Sequence, residues 1–185
     1  MRIVAGRHRG RKLISPRGDA IRPTSDRARQ ALFNILGSPA YATDDGPLPR
    51  GAAVLDAFAG AGALGLAALS RGAARAAFID SDGAACRLIE DNLAALGEPG
   101  VVLRRDARRP GPAPFACGLA FLDPPYGSGL AAPALAALAE GGWLAPDALV
   151  SVELGRGEDF LPPPGFEAID ERVYGAARLV LLRRA

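Results

Sequence analysis

Residues 54–65, Val-Leu-Asp-Ala-Phe-Ala-Gly-Ala-Gly-Ala-Leu-Gly, constrain the fold of this chain more than any other segment. An apolar stretch runs into a glycine-rich turn, and an alanine- and leucine-rich run follows without a polar break. This is the pattern of a strand that delivers the chain to a tight turn opening a helix, so that backbone N–H groups face whatever approaches the helix N-terminus. Gly60, Gly62 and Gly65 satisfy GxGxxG, which alone is a weak dinucleotide signal. Asp56 changes the balance. A carboxylate at the strand end suits an ammonium group and would repel a pyrophosphate, which favours S-adenosylmethionine, with its amino-acid tail and no phosphate, over NAD or FAD.

From Ala52 onward strand and helix patterns alternate. Strands are expected at 54–55, 76–79, 101–103, 119–122 and 149–154, with helices at 63–70, 83–96 and 130–140 between them. Such alternation predicts an α/β fold with a mostly parallel sheet. The end differs: 166–174 and 178–182, joined at Gly175, read as an antiparallel hairpin. Ahead of this unit, residues 2–14 read as a short hairpin with a basic tip. A helix then starts at Thr24 or Ser25, carries its apolar stripe on Ala28, Ala31, Leu32, Ile35 and Leu36, and ends at Gly37. The organisation expected is a basic extension over 1–37, a Pro/Gly/Asp-rich linker over 38–51, and the main domain over 52–185.

Side-chain inventory removes whole mechanisms. His8 is the only histidine, which argues against a His general base, a Ser-His-Asp triad or a His-rich zinc site. Cys86 and Cys117 form no CxxC pair, so neither a metal ribbon nor a disulfide framework is expected, and unpaired thiols fit a reducing cytoplasm. The longest charge-free apolar run covers the 14 residues 57–70, short of the roughly 20 a membrane span needs. Nothing after Met1 resembles a signal peptide.

Charge is unevenly spread. Residues 1–30 hold nine Lys/Arg against Asp19 and Asp26, whereas the remainder holds 13 against 18 acids. Base composition would scatter arginine evenly, so this concentration points to a phosphate-tracking surface. Its candidate residues are Arg7, His8, Arg9, Arg11 and Lys12 in the first segment, with Arg22 and Arg27 beside the helix start.

Two further sites carry chemistry. Asp80 ends the second strand of the main domain, where an acid can accept from both ribose hydroxyls of a nucleoside. Asp106, after the third strand, is placed to accept from an adenine amino group. Phe121-Leu122-Asp123-Pro124-Pro125-Tyr126 then ends the fourth. A carboxylate, two prolines and an aromatic suit methylation of a planar exocyclic amine, whose lone pair is delocalised into its ring. Bonds from the amine to Asp123 and to a carbonyl fixed by the prolines favour pyramidal nitrogen. Tyr126 would stack on the base. A strong base is unnecessary, because the nitrogen becomes acidic once alkylated.

These segments together resemble the adenosylmethionine-dependent methyltransferases of the Rossmann type. More narrowly, the chain is similar to the bacterial 16S rRNA guanine-N2 methyltransferase family. Met1-Arg2-Ile3-Val4-Ala5-Gly6, Arg9-Gly10-Arg11-Lys12-Leu13 and Arg22-Pro23-Thr24-Ser25-Asp26-Arg27 carry the specific part of the likeness. The resemblance implies a Rossmann-like seven-stranded sheet with a small N-terminal hairpin and helix extension. It implies methyl transfer from S-adenosylmethionine, leaving S-adenosylhomocysteine, to guanosine N2 in helix 31 of 16S rRNA, on a partly assembled small subunit, by a cytoplasmic monomer using no metal. Carried over, Asp56, Phe58, Gly60 and Gly62 line the methionine end of the cofactor, Asp80 binds ribose, Asp106 binds adenine, and Asp123 to Tyr126 hold the base. The chain departs from the family at Asp80, where a longer Glu is usual, and at Ala57 and Ala61. A DNA adenine-N6 methyltransferase, a nucleotide-dependent oxidoreductase and a non-catalytic assembly factor remain alternative readings of the same motifs.

Overall fold

The computed structural model describes residues 2–15 and 26–185, with side chains from Ala28 onward in the second stretch. One sheet contains β1 (Ala53–Ala57), β2 (Arg75–Asp80), β3 (Gly100–Arg104), β4 (Cys117–Leu122), β5 (Leu144–Gly155), β6 (Phe166–Tyr174) and β7 (Ala177–Arg184). Their order is β3-β2-β1-β4-β5-β7-β6. The first five run parallel to their neighbours, and β7 is antiparallel between β5 and β6. Among the described residues four α-helices accompany them: α1 (Asp26–Leu36), α2 (Ala63–Ser70), α3 (Gly83–Leu96) and α4 (Ala131–Glu140).

Strand alternation divides the core in two. Val54, Phe78, Leu119 and Phe121 face α1, α2 and α3. Leu55, Ile79, Ala120 and Leu122 face α4 and the fully buried Trp143. Burial on both faces explains why the central strands read as continuous apolar runs. No helix follows β5. A proline-rich crossing leads instead to β6, and Phe160 and Phe166 from this region pack on the α4-side core.

One expectation needed revision. β5 begins at Leu144, ahead of the expected 149, because a bulge interrupts it. Cys117 pairs with Leu144 and Leu119 with Leu149, so Gly118 alone opposes residues 145–148. Pro146 cannot donate to a ladder and Asp147 adopts φ 58°, so this stretch reads as a break although the strand continues through it. Residues 38–51, expected as a linker, hold a 3-10 turn at Pro39–Tyr41 and bury Leu48 in the first core. The N-terminal hairpin reduces to one bridge, Arg2 with Lys12. Ile3 and Leu13 point into the core, while Val4 and Ile14 stay exposed. The expected helix caps Thr24 and Ser25 lie outside the described residues.

The tip of this N-terminal segment rests on the C-terminal end of α2. Arg7 N donates to Ser70 O (2.8 Å), His8 N to Ser70 Oγ (3.1 Å), and Ser70 Oγ to Ala5 O (2.7 Å). A Cβ on Gly6, at φ 85°, would lie 1.9 Å from Ser70 O, so only glycine permits this approach.

Close approach also sets α2 on the sheet. A Cβ at Gly65 would lie 2.3 Å from Phe78 Cε1 and 3.2 Å from Asp56 Cβ. Gly65→Ala should therefore destabilise the protein by about 1–3 kcal/mol, the usual cost of overpacking. Thermal denaturation should read this as a fall of roughly 2–4 °C per kcal/mol. Gly118→Ala, with nothing within 4 Å of the added carbon, should leave the midpoint nearly unchanged.

Candidate active site

β1 and β4 are neighbours, so the glycine turn and the Asp123 loop leave the sheet side by side at its C-terminal edge. Gly62, at φ 74°, precedes α2 but has no side chain to cap it. Asp56 supplies that cap from β1. Its Oδ2 accepts from Gly65 N at 2.7 Å, and the Leu64 N–H faces it as well. These are the second and third amides of α2, the donors an N-cap normally satisfies. From the other side, Asp80 Oδ2 accepts from Gly60 N (2.8 Å) and Oδ1 from Asp82 N (2.9 Å). Asp82 in turn caps α3 by accepting from Ala84 N. Between these anchors Phe58 holds φ 59°, a strained value for a non-glycine residue.

Asp56 is 2% exposed. Burial pushes its carboxyl up to about 8; the Gly65 bond opposes that rise, and Asp123 and Asp80 add to it. Asp106 is held below the usual carboxylate range by Arg108, whose Nη2 lies 2.7 Å from Oδ2 and whose Nε also reaches the carboxylate. Arg105 N donates to Asp80 O (2.9 Å), tying the Asp106 loop to the end of β2. The three acids expected after successive strands thus stand along one edge.

Asp123 N donates to Ala57 O at 3.4 Å, joining the two motifs through backbone. Tyr126 OH donates to Glu153 Oε1 at 2.5 Å. Glu158 Oε2 accepts from both Gly127 N (2.9 Å) and Gly155 N (3.0 Å), locking the Asp-Pro-Pro-Tyr loop to the end of β5. Burial raises the Glu153 carboxyl to about 7, Asp123 raises it further, and the Tyr126 bond opposes both. Neither glutamate was anticipated. The only sequence trace of Glu153 is an acid inside the apolar run 149–154; Glu158 left none.

The basic segment lies elsewhere. Helices that return from the C-terminal edge end at the N-terminal edge, and there Arg7 grips Glu98 through Nε (2.6 Å) and Nη2 (2.5 Å), with His8 Nε2 on the same carboxylate. Arg11 donates to Ala95 O at the C-terminal end of α3. Arg9 and Lys12 are exposed and make no ion pair among the described residues. Arg22 and the Arg27 side chain lie outside what is described. A second basic stretch, Arg104, Arg105, Arg108 and Arg109, flanks Asp106 on the C-terminal edge. Among the described residues there is no group of three or more His, Cys, Asp or Glu able to hold a metal, and no helix long and apolar enough to cross a membrane.

Strand order, the antiparallel β7 and the turn at the C-terminal edge define the Rossmann-like fold of methyltransferases. The family model described as Conserved hypothetical protein 95 matches residues 1–183. The ribosomal RNA small subunit methyltransferase D of Escherichia coli K12 is 38% identical over 188 residues, covering all of this chain and 90% of that protein. Its Haemophilus influenzae namesake is 34% identical across 95% of this chain and 89% of its own length. A solved E. coli chain superposes with TM-score 0.83 at 37% identity, covering 100% of this chain and 97% of that one. The chain belongs to the ribosomal RNA small subunit methyltransferase D family.

The Asp56 environment sets a pH signature. A carboxyl raised by folding binds its proton more tightly in the native state, so stability is fullest below about pH 4 as far as this group is concerned, and is lost as pH rises through about 8. Asp56→Asn keeps an acceptor for Gly65 N and cannot ionise. Chemical denaturation at pH 5 and pH 9 should show a smaller alkaline loss in Asp56→Asn than in the unsubstituted protein. An equal loss in both would show that Asp56 ionises freely.

Proposed function

We propose that this chain transfers a methyl group from S-adenosylmethionine to the exocyclic N2 of a guanosine in helix 31 of 16S rRNA, within a partly assembled small subunit. The observation that carries the reading is Asp123-Pro124-Pro125-Tyr126, ending β4 directly beside the β1 glycine turn. The relatives' names supply the substrate class, the small-subunit ribosomal RNA.

The residues fit the cofactor. A Cβ direction at Gly60 meets nothing within 4 Å, so the turn is open on the side a ligand would use. Phe58, Gly60 and Gly62 shape the surface for the methionine end, with Asp56 holding it from beneath; an arriving ammonium would favour the ionised form of its buried carboxyl and draw it back below about 8. Asp80 would exchange its Gly60 and Asp82 bonds, in part, for ribose hydroxyls, and Asp106 would accept from the adenine amine. When bound, the cofactor supplies a methyl group already activated on a sulfonium, so the reading needs no metal.

The chain's own work is orientation. Asp123 accepts a hydrogen bond from the target amine and stabilises positive charge developing on nitrogen. The Pro124 region fixes a carbonyl as second acceptor, which favours pyramidal nitrogen with its lone pair facing the methyl group. Tyr126 offers an aromatic face to an extruded base. The proton of the alkylated nitrogen, now acidic, passes to the adjacent Asp123 carboxylate or to water, so no dedicated histidine is needed.

The RNA backbone would be met by Arg9 and Lys12. Since α3 spans 14 residues, these lie about 20 Å from the reacting edge. The substrate must then be larger than a stem-loop tip, which suits a folded ribosomal particle met by a cytoplasmic monomer.

Mass mapping of 16S rRNA from cells with and without this protein should show one N2-methylguanosine lost on deletion; an unchanged map would refute the assignment. With purified components, Asp123→Ala should lower kcat by roughly 10²–10³-fold, the scale of one preorganised electrostatic contact, with S-adenosylhomocysteine affinity little changed. The double variant Arg9→Ala, Lys12→Ala should flatten the log–log salt dependence of RNA binding by about 1.4–1.8 units, at 0.7–0.9 per lost phosphate contact. An unchanged slope would remove the N-terminal segment from the RNA interface.

A further inference from the structure

Glu153 is the buried group that the methyl-transfer chemistry leaves without a task. It stands on β5 one step beyond the Leu122–Val152 pair, and therefore beside Asp123. Only 5% of it is exposed, in a stretch of β5 that also buries Leu149, Val150, Ser151, Val152 and Leu154. Its one hydrogen bond among the described residues comes from Tyr126 OH. A carboxylate buried with a single neutral donor lowers fold stability relative to an apolar residue of similar size. Packing therefore gives no reason for an acid at this position, whereas the Tyr126 contact does.

A tyrosine on a surface loop explores several rotamers, and a base that stacks on it must order the ring first. Here the ring is restrained at both ends. At its root, Glu158 ties Gly127 N to Gly155 N, and Gly155 lies so close that a Cβ there would sit 3.6 Å from Tyr126 Cβ. At its tip, the hydroxyl is bonded to Glu153. Resting on the methyltransferase reading above, we propose that Glu153 is a positioning residue: through the Tyr126 hydroxyl it fixes the ring as a preformed stacking platform for the target base. Glu153 touches neither base nor cofactor in this role. Its effect falls on capture of the base and reaches the methyl step only indirectly.

Steady-state methyl transfer to small-subunit particles, using labelled S-adenosylmethionine, separates the possibilities. Tyr126→Phe keeps the ring and removes its anchor, and it should raise KM for the particle about 2- to 10-fold, the scale of ordering one side chain on binding. Affinity for S-adenosylhomocysteine should stay unchanged, and kcat should change less than KM. Glu153→Leu should reproduce that KM effect. Glu153→Gln, whose amide oxygen still accepts from the hydroxyl, should restore KM to within about twofold of the unsubstituted protein. Both changes together should be no worse than either alone, because they break the same contact. Should Glu153→Leu fail to fold, Glu153→Gln alone and combined with Tyr126→Phe decides the matter by the same rescue and non-additivity. The proposal is overturned if Glu153→Leu folds with unchanged KM, if the effects multiply in the double variant, or if Glu153→Gln is as defective as Glu153→Leu. Absence of methyl transfer by the unsubstituted protein would overturn the underlying reading, and this proposal with it.

Discussion

The turn at Gly60 is held by two carboxylates from adjacent strands, and the geometry of the whole C-terminal edge follows from that grip. Asp56 satisfies the second and third amides of α2, which Gly62 cannot cap. Asp80 satisfies Gly60 N and, through Asp82, starts α3. Buried backbone donors left unpaired would each cost about 1–3 kcal/mol, so the two acids replace a penalty with order. The arrangement also demands glycine at 65, where α2 and Phe78 leave no room for a methyl group. One interaction pair thus sets the helix, the turn and the opening a ligand would use.

The same edge collects charge. Asp56 and Glu153 are each pushed toward the protonated form by burial, and Asp123 acts on both. Three carboxyls from β1, β4 and β5 converge where a low-dielectric interior strengthens their mutual repulsion. Such a site attracts cations and resists phosphates. A sulfonium with an ammonium tail matches it, and a pyrophosphate does not. A nucleic-acid substrate would have to present a base here while keeping its backbone away, so phosphate contacts must be made at a distance. Both basic stretches obey this: one lies at the opposite edge, and the other, residues 104–109, lies at the β3 end of the sheet, beyond β2.

Much of this was legible before any coordinates. Strands buried on both faces leave continuous apolar runs, and glycines at 60, 62 and 65 mark a tight strand-to-helix turn. Asp123-Pro124-Pro125-Tyr126 is a local motif, so it survives reading in one dimension. What escaped was long-range. Arg7 finds its partner 91 residues away, and a run of cations in sequence says nothing about which of them Glu98 will neutralise. Glu153 and Glu158 act through a loop from another strand. Residues 144–148 looked like a break because Pro146 and Asp147 are breakers, and only pairing with β4 reveals a bulge within one strand. Asp56 was read for its charge, and its capping role depends on a helix that folds back onto it.

The N-terminal segment illustrates how a basic motif divides its work once folded. A surface ion pair contributes little, about 0–1 kcal/mol, but the Glu98 side chain is only 3% exposed and receives both Arg7 and His8. Arg11 meets the carbonyl end of α3, where a cation is favoured by the helix dipole. Ile3 and Leu13 add apolar anchorage. These residues attach the segment, with Arg7 held by Glu98 and Arg11 by a helix-end carbonyl, so on the proposed reading they would release few counterions on meeting RNA. Arg9 and Lys12 stand outside that set. Because the backbone carrying them is pinned at Gly6 against Ser70, they are presented from a rigid turn rather than a flexible arm. On the proposed reading, binding RNA would order two side chains and almost no backbone, which would lower the entropic cost of each contact. The proposed RNA surface would then engage few phosphates, and specificity would have to come from the shape that brings a distant base to Tyr126.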